Sequence, residues 1–135
     1  MQIRGKIGVI DSQDALIGNP AYDLVSLIDD VRIKNPKKLK NKIYNYYLIK
    51  NKKNLKNNSK NFLENFNILS VQRCLKIIGI FARLFKRDKK DQYLKFIPYT
   101  WKILELRMKE KIFSELRKIL YKNISRKIRK ININK

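Results

Sequence analysis

Residues 9–28 read VIDSQDALIGNPAYDLVSLI, and the change of pattern inside this stretch sets the fold class. The apolar pair Val9-Ile10 delivers Asp11 to the end of an extended run, and Asp14 follows three residues later. Gly18-Asn19-Pro20 then punctuates the chain, because Gly and Pro next to Asn favour a turn over either regular structure. Asn19 is suited to cap a helix and Pro20 to occupy its first position, where the missing N–H costs nothing. Leu24, Leu27, Ile28 and Val31 recur at three- and four-residue spacing, which predicts a helix over 20–32 with one buried face and Asp23 in its first turn. Asp29 and Asp30 read as solvated helix acids. Upstream, residues 2–11 read as a β-hairpin with Arg4-Gly5-Lys6 at its turn and Ile7-Gly8-Val9-Ile10 as a β-rich run.

Most of the chain after this stretch reads as helix. Ile43, Tyr44, Tyr47 and Leu48 predict a helix over 37–50, and the Lys/Asn-rich run at 50–60 (KNKKNLKNNSK) predicts an exposed loop. Phe62, Phe66, Leu69, Leu75, Ile78, Phe81, Ala82 and Phe85 give a core helix over 61–86 its broad apolar face. Residues 91–108 predict another helical segment, broken or kinked at Pro98. Ile112, Leu116, Ile119, Leu120, Ile124, Ile128 and Ile131 mark a basic amphipathic helix that closes the chain. The fold class is therefore mainly α with an N-terminal β-hairpin. Its domain division is a main unit at 1–108 and the basic helix region at 109–135. Two strands cannot form an independent sheet, so the hairpin must pack on the helices or on something else.

Composition narrows the chemistry. The chain has 135 residues, 33 Lys plus Arg against 11 Asp plus Glu, one cysteine and no histidine. A hydrophobic fraction of 44% suffices for a core and excludes a wholly disordered chain. Without histidine there is no Ser-His-Asp or Cys-His machinery and no His-ligated zinc, so any general base must be a carboxylate or a lysine. Lone Cys74 makes no internal disulfide and reads as a buried small apolar residue. No signal peptide or transmembrane run is visible, and the expected location is cytoplasmic. Residues 1–30 hold two bases and five acids, so the net charge of +22 belongs wholly to the remainder. Such charge favours an anionic partner such as nucleic acid. Lys, Asn and Ile are also the residues that AT-rich codons supply on any surface.

A carboxylate at a strand end is rigidly placed, as a metal-bridging group must be, and Mg²⁺ prefers carboxylate and phosphate oxygens. In a chain without histidine, Asp11 is the best metal-ligand candidate. At this point the residues resemble a known family. VIDSQDALIGNPAYDLVSLIDD (9–30) is similar to the segment after the catalytic loop in aminoglycoside phosphotransferases, choline kinases and their relatives, where a strand ending in Ile-Asp leads into a Gly-x-Pro-x-x-Asp-Leu turn and helix. Gln13-Asp14-Ala15, Tyr22–Leu27, the block Gln72–Leu84 (QRCLKIIGIFARL), Arg87-Asp88, Tyr93 and Pro98 resemble the subgroup of bacterial anomeric sugar kinases acting on N-acetylmuramate and N-acetylglucosamine in cell-wall recycling. The resemblance covers residues 5–108.

That resemblance implies the helical C-lobe of the protein-kinase-like fold in truncated form. It implies an ATP- and Mg²⁺-dependent phosphotransferase with a small-molecule sugar acceptor. By it, Asp11 bridges metal and ATP phosphates, Asp14 lies near nucleotide and metal, and Asp23 is a buried acid holding the catalytic loop by hydrogen bonds. Ser12 departs from the family, which has an aromatic residue there. The family's His-x-Asp-x-x-x-x-Asn catalytic loop and its N-lobe with the ATP-covering strand lysine do not occur in this sequence, so no catalytic base is assigned. The expectation is a C-terminal fragment inactive alone, with an N-terminal kinase fragment as partner. The competing reading is a basic helical protein that binds nucleic acid or a membrane surface through residues 109–135.

Overall fold

The computed structural model describes residues 2–3, 6–7, 17–53, 55 and 59–129. Strand β1 (Gln2–Ile3) pairs antiparallel with β2 (Lys6–Ile7), Gln2 opposite Ile7 and Ile3 opposite Lys6. This two-residue pairing is all that the described residues show of the expected hairpin; its continuation to Asp11 lies outside them. The rest is helical: α1 (Ala21–Ile28), α2 (Lys37–Lys50), α3 (Ser59–Asp88), α4 (Ile97–Arg107), α5 (Ser114–Asn123) and α6 (Arg126–Arg129). Short 3-10 turns at Asp91–Phe96 and Lys111–Phe113 lead into α4 and α5.

Helix α1 starts where the turn chemistry places it. The Asn19 Oδ1 accepts the Ala21 N–H at 3.0 Å, satisfying one of the donors that a helix start leaves open. Its buried face is Ala21, Leu24, Val25 and Ile28. Leu27, expected on that face, is 57% exposed. The correction is geometric: positions 21, 24, 25 and 28 share one side of a helix with about 3.6 residues per turn, and 27 falls off it.

Helix α3 is the spine. Its 30 residues span about 45 Å at the usual rise of a helix. The first third meets α1 and α2 in one apolar cluster, where Phe62 and Phe66 pack with Ala21, Leu24, Val25 and Ile28 under Tyr44 and Tyr47. Tyr47 stacks on Phe62 (5.4 Å between centroids) and Tyr44 meets Phe66 edge to face (5.3 Å). The remaining two thirds meet α4 and the C-terminal elements in a second cluster built on Val71, Cys74, Phe81, Trp101, Leu104, Met108 and Phe113. Within the Gln72–Leu84 block, Cys74 and Phe81 are buried while Gln72, Lys76 and Arg83 are exposed, so packing accounts for its apolar residues. Ala82 and Phe85, expected in the core, are exposed. Lys89 ends α3 with φ of 54°, the left-handed conformation that commonly closes a helix.

Pro98 lies in the first turn of α4, where the 3-10 turn over Asp91–Phe96 gives way to α-helix, so the helical segment expected over 91–108 changes character there. One further expectation is corrected. The segment after residue 109 is not one helix. Ile124 is extended (φ −123°, ψ 105°), and Ser125 Oγ then accepts the Ile128 N–H at 3.4 Å at the start of α6. Phe113, Leu116, Leu120 and Ile124 pack on the second cluster. Arg129 pairs with Glu105 of α4 and lies over the Tyr121 ring, 4.1 Å from its centroid. Among the described residues, no helix is long and apolar enough to cross a membrane.

The packing sets a contrast in stability. Leu104, fully buried between α3 and α4, should lose about 2–5 kcal/mol on Leu104→Ala through lost transfer and the cavity left behind. Phe85→Ala, at a position 47% exposed, should fall within about 0.5–1 kcal/mol of the parent. Denaturant midpoints of the two variants check both values.

Candidate functional site

The polar centre of the molecule is Asp29, the residue that ends α1. Its side chain is buried to 2% exposure among four elements. Oδ2 accepts from Ser70 Oγ of α3 at 2.8 Å and from Arg107 Nε of α4 at 2.8 Å. Oδ1 accepts from Arg107 Nη2 at 3.1 Å and from Lys40 Nζ of α2 at 3.1 Å. The Arg107 guanidinium also lies over the Phe66 ring, 4.8 Å from its centroid. Burial by itself raises the carboxyl's pKa, but the paired Arg107 bonds, the Ser70 hydroxyl and Lys40 outweigh it and hold Asp29 ionised below the ordinary 3.8. All four acceptor directions of the carboxylate are in use, so Asp29 is a structural anion with none left for a metal.

The expectation of a solvated Asp29 is thereby corrected. The one sign in the sequence is its register: it follows buried Val25 by four residues, on the apolar side of α1, where a solvated acid would be out of place. Its cationic partners lie 11 and 78 residues away, beyond any local pattern.

Of the site residues expected from sequence, Asp11 and Asp14 lie outside the described residues. Asp23 stands in the first turn of α1 with its side chain exposed rather than buried, at the helix end that favours negative charge. Among the described residues, no group of three His, Cys, Asp or Glu side chains could hold a metal ion. The Cys74 thiol is pushed up to about 12, chiefly by burial, and is an inert core group.

Beside the Asp29 cluster the surface opens into a groove of about 760 Å³ between the start of α2, the first part of α3 and the end of α4. Lys40 and Arg107 form its floor and Tyr99 one wall. Lys34, Lys37, Lys102 and Lys109 rim it, and Glu110 is the single acid along it. Lys34 and Lys40 place their ammonium groups 5.8 and 5.9 Å from the Tyr99 ring centroid. A smaller cleft of about 220 Å³ adjoins it over Tyr44 and Phe66.

Two variants test the cluster. Asp29→Asn leaves Arg107 and Lys40 buried against a neutral amide and should cost about 3–5 kcal/mol. In the parent, the folded state holds the Asp29 proton less tightly than the unfolded chain. Its contribution is therefore complete above the ordinary carboxylate value of 3.8 and is lost as pH falls through the lower folded-state value. Unfolding followed from pH 6 to 2 should show less of this acid dependence in Asp29→Asn. Ser70→Ala, which removes one of the four bonds, should cost about 1–3 kcal/mol.

Among known proteins, the chain is 32% identical over 112 residues to the N-acetylmuramate/N-acetylglucosamine kinase of Caulobacter vibrioides, an overlap of 83% of this chain. It is 41% identical over 101 residues to the kinase of the same name from Neisseria meningitidis serogroup B, and 38% identical over 101 residues to that of Pseudomonas aeruginosa. Each of these overlaps covers 73% of this chain. The chain spans about 30% of the length of the curated relatives it matches. No family model and no solved structure matches it. Most of this chain is thus similar to one portion of bacterial sugar kinases.

Proposed function

We propose that this chain supplies the C-terminal helical portion of an ATP-dependent sugar phosphotransferase, with N-acetylmuramate or N-acetylglucosamine as acceptor, and that it does not transfer phosphate alone. The observation that carries the reading is the identity of 32–41% to kinases of that name across 73–83% of this chain. The reach of the overlap, 30% of each relative, supports the division of labour, since phosphoryl transfer requires several groups to neutralise and align the phosphates together. In this reading Asp11 would hold Mg²⁺, whose chemistry is to neutralise charge on the ATP phosphates, and Asp14 would stand close to nucleotide and metal. Asp23 would support a catalytic loop supplied by the rest of the kinase, its exposed side chain leaving it accessible to such a segment. The Asp29 cluster would serve by fixing the end of α1, the helix that bears Asp23.

The test is ATP-dependent phosphorylation of the two amino sugars in the presence of Mg²⁺. The chain is assayed alone and together with the portion of the Neisseria meningitidis kinase that it does not match. Turnover is expected only with both, falling about a hundredfold or more in Asp11→Ala, the scale on which single electrostatic groups act in transition states. Turnover by the chain alone would overturn the division of labour. Turnover unchanged in Asp11→Ala would overturn the metal assignment.

A further inference from the structure

We propose that the groove between the start of α2 and the end of α4 is a binding site for a small ligand bearing a phosphate monoester. It is independent of the kinase reading, because it needs neither turnover nor the residues before Asn19. Three observations on different elements converge on it.

The first is charge. Lys40 and Arg107 on the floor are already committed to Asp29. Lys34, Lys37, Lys102 and Lys109 have no acidic partner among the described residues, and Glu110 alone opposes them. Four ammonium groups without an acidic partner around one concavity focus a positive field that a single solvated lysine does not produce. Lysine binds phosphate as a point charge, and a dianion answers this excess better than a carboxylate does.

The second is the end of α2. Pro36 precedes it with no side-chain cap, and no acid stands in its first turn. The first intrahelical bond there is from Lys40 N–H to the Pro36 carbonyl at 3.0 Å, which leaves the N–H groups before it without a helical acceptor. This positive helix end belongs to the same rim as Lys34 and Lys37.

The third is Asn67 of α3. Its side chain is 7% exposed and lines the groove, yet among the described residues no side-chain hydrogen bond engages it. Among the described residues no enclosed side-chain nitrogen or oxygen lacks a partner, so Asn67 counts here as an amide donor on the groove lining that an oxyanion can use, and not as a buried orphan. The groove's volume of about 760 Å³ suits a small molecule, since ligand pockets run from about 300 to 1,000 Å³. Leu63, Ile103 and Leu106 give part of its lining an apolar character that an inorganic ion would not use.

The experiment is calorimetric titration of the full chain, at fixed ionic strength and with divalent metal chelated so that Asp11 plays no part. Glucose 6-phosphate is the probe, inorganic phosphate tests for recognition of the bare anion, and a twelve-residue oligothymidylate tests for a nucleic-acid backbone. The expected result is saturable binding of one glucose 6-phosphate per chain. It should weaken about tenfold or more in Lys37→Ala/Lys102→Ala and in Asn67→Asp, and change less than about twofold in Lys86→Ala/Lys122→Ala, which removes the same charge elsewhere. Inorganic phosphate competing at the same site would support the proposal by assigning recognition to the phosphate group itself. Three results would overturn it: no saturable binding, equal weakening by the control pair, or an oligothymidylate that binds in preference and loses affinity equally in both lysine pairs. Because the lysine variants alter only exposed side chains, a failure of Asn67→Asp to fold leaves the outcome decided.

Discussion

The carboxylate of Asp29 is the point on which the arrangement of helices depends. It closes α1 and receives α2 through Lys40, α3 through Ser70 and α4 through Arg107. Withdrawing a carboxylate and a guanidinium from water costs several kcal/mol for each ion, and only geometry with every lone pair engaged repays it. Here the bidentate Arg107 fork, the hydroxyl and the ammonium supply that geometry, and the Phe66 face shields the guanidinium from the other side. Apolar packing is tolerant of small rotations, whereas four bonds to one carboxylate are not. The cluster therefore selects one orientation for helices that the apolar clusters merely hold together.

The 30-residue α3 makes this organisation possible. One helix runs through both apolar clusters, so α1 and α2 at one end and α4 with the C-terminal elements at the other never need a common core of their own. Asp29 sits where the two clusters meet, and its bond to Ser70 lies near the middle of α3. The groove arises from the same geometry. Lys40 and Arg107 are drawn inward to reach Asp29, and the basic residues beside them in the chain are brought around one hollow. A chain with 33 Lys and Arg could have scattered its charge evenly, and it is the buried anion that gathers part of it.

The acids assigned by resemblance and the basic groove stand in different parts of the chain, although the similarity to sugar kinases extends over most of both. The acids expected to meet a nucleotide and its metal, Asp11 and Asp14, precede α1, while the groove lies beyond it, between α2 and α4. The exposed C-terminal residues Ile112, Ile119 and Ile128 read from sequence as part of a membrane-seeking stripe. Their neighbours Phe113, Leu116, Leu120 and Ile124 are instead spent on the core, and the Glu105–Arg129 pair ties the last turn back to α4.

The sequence by itself determined the elements. The Asn19-Pro20 start of α1, helix α2 over 37–50, the long α3 and the helical character of residues 97–129 were all legible, because capping chemistry and helical periodicity act within a few residues. The resemblance carried by residues 9–30 and 72–84 was legible too, and similarity to kinases across most of the chain agrees with it. Which apolar residues are buried was legible only in part: Leu27 and Phe85 carry the right chemistry but face away from the core, since burial depends on where a neighbouring helix lies. Beyond its register on the apolar side of α1, the role of Asp29 belonged to the tertiary structure. An acid at the end of a helix looks solvated until an arginine 78 residues later is folded against it, and the energy of a buried ion cluster resides in distances between elements that no local pattern encodes.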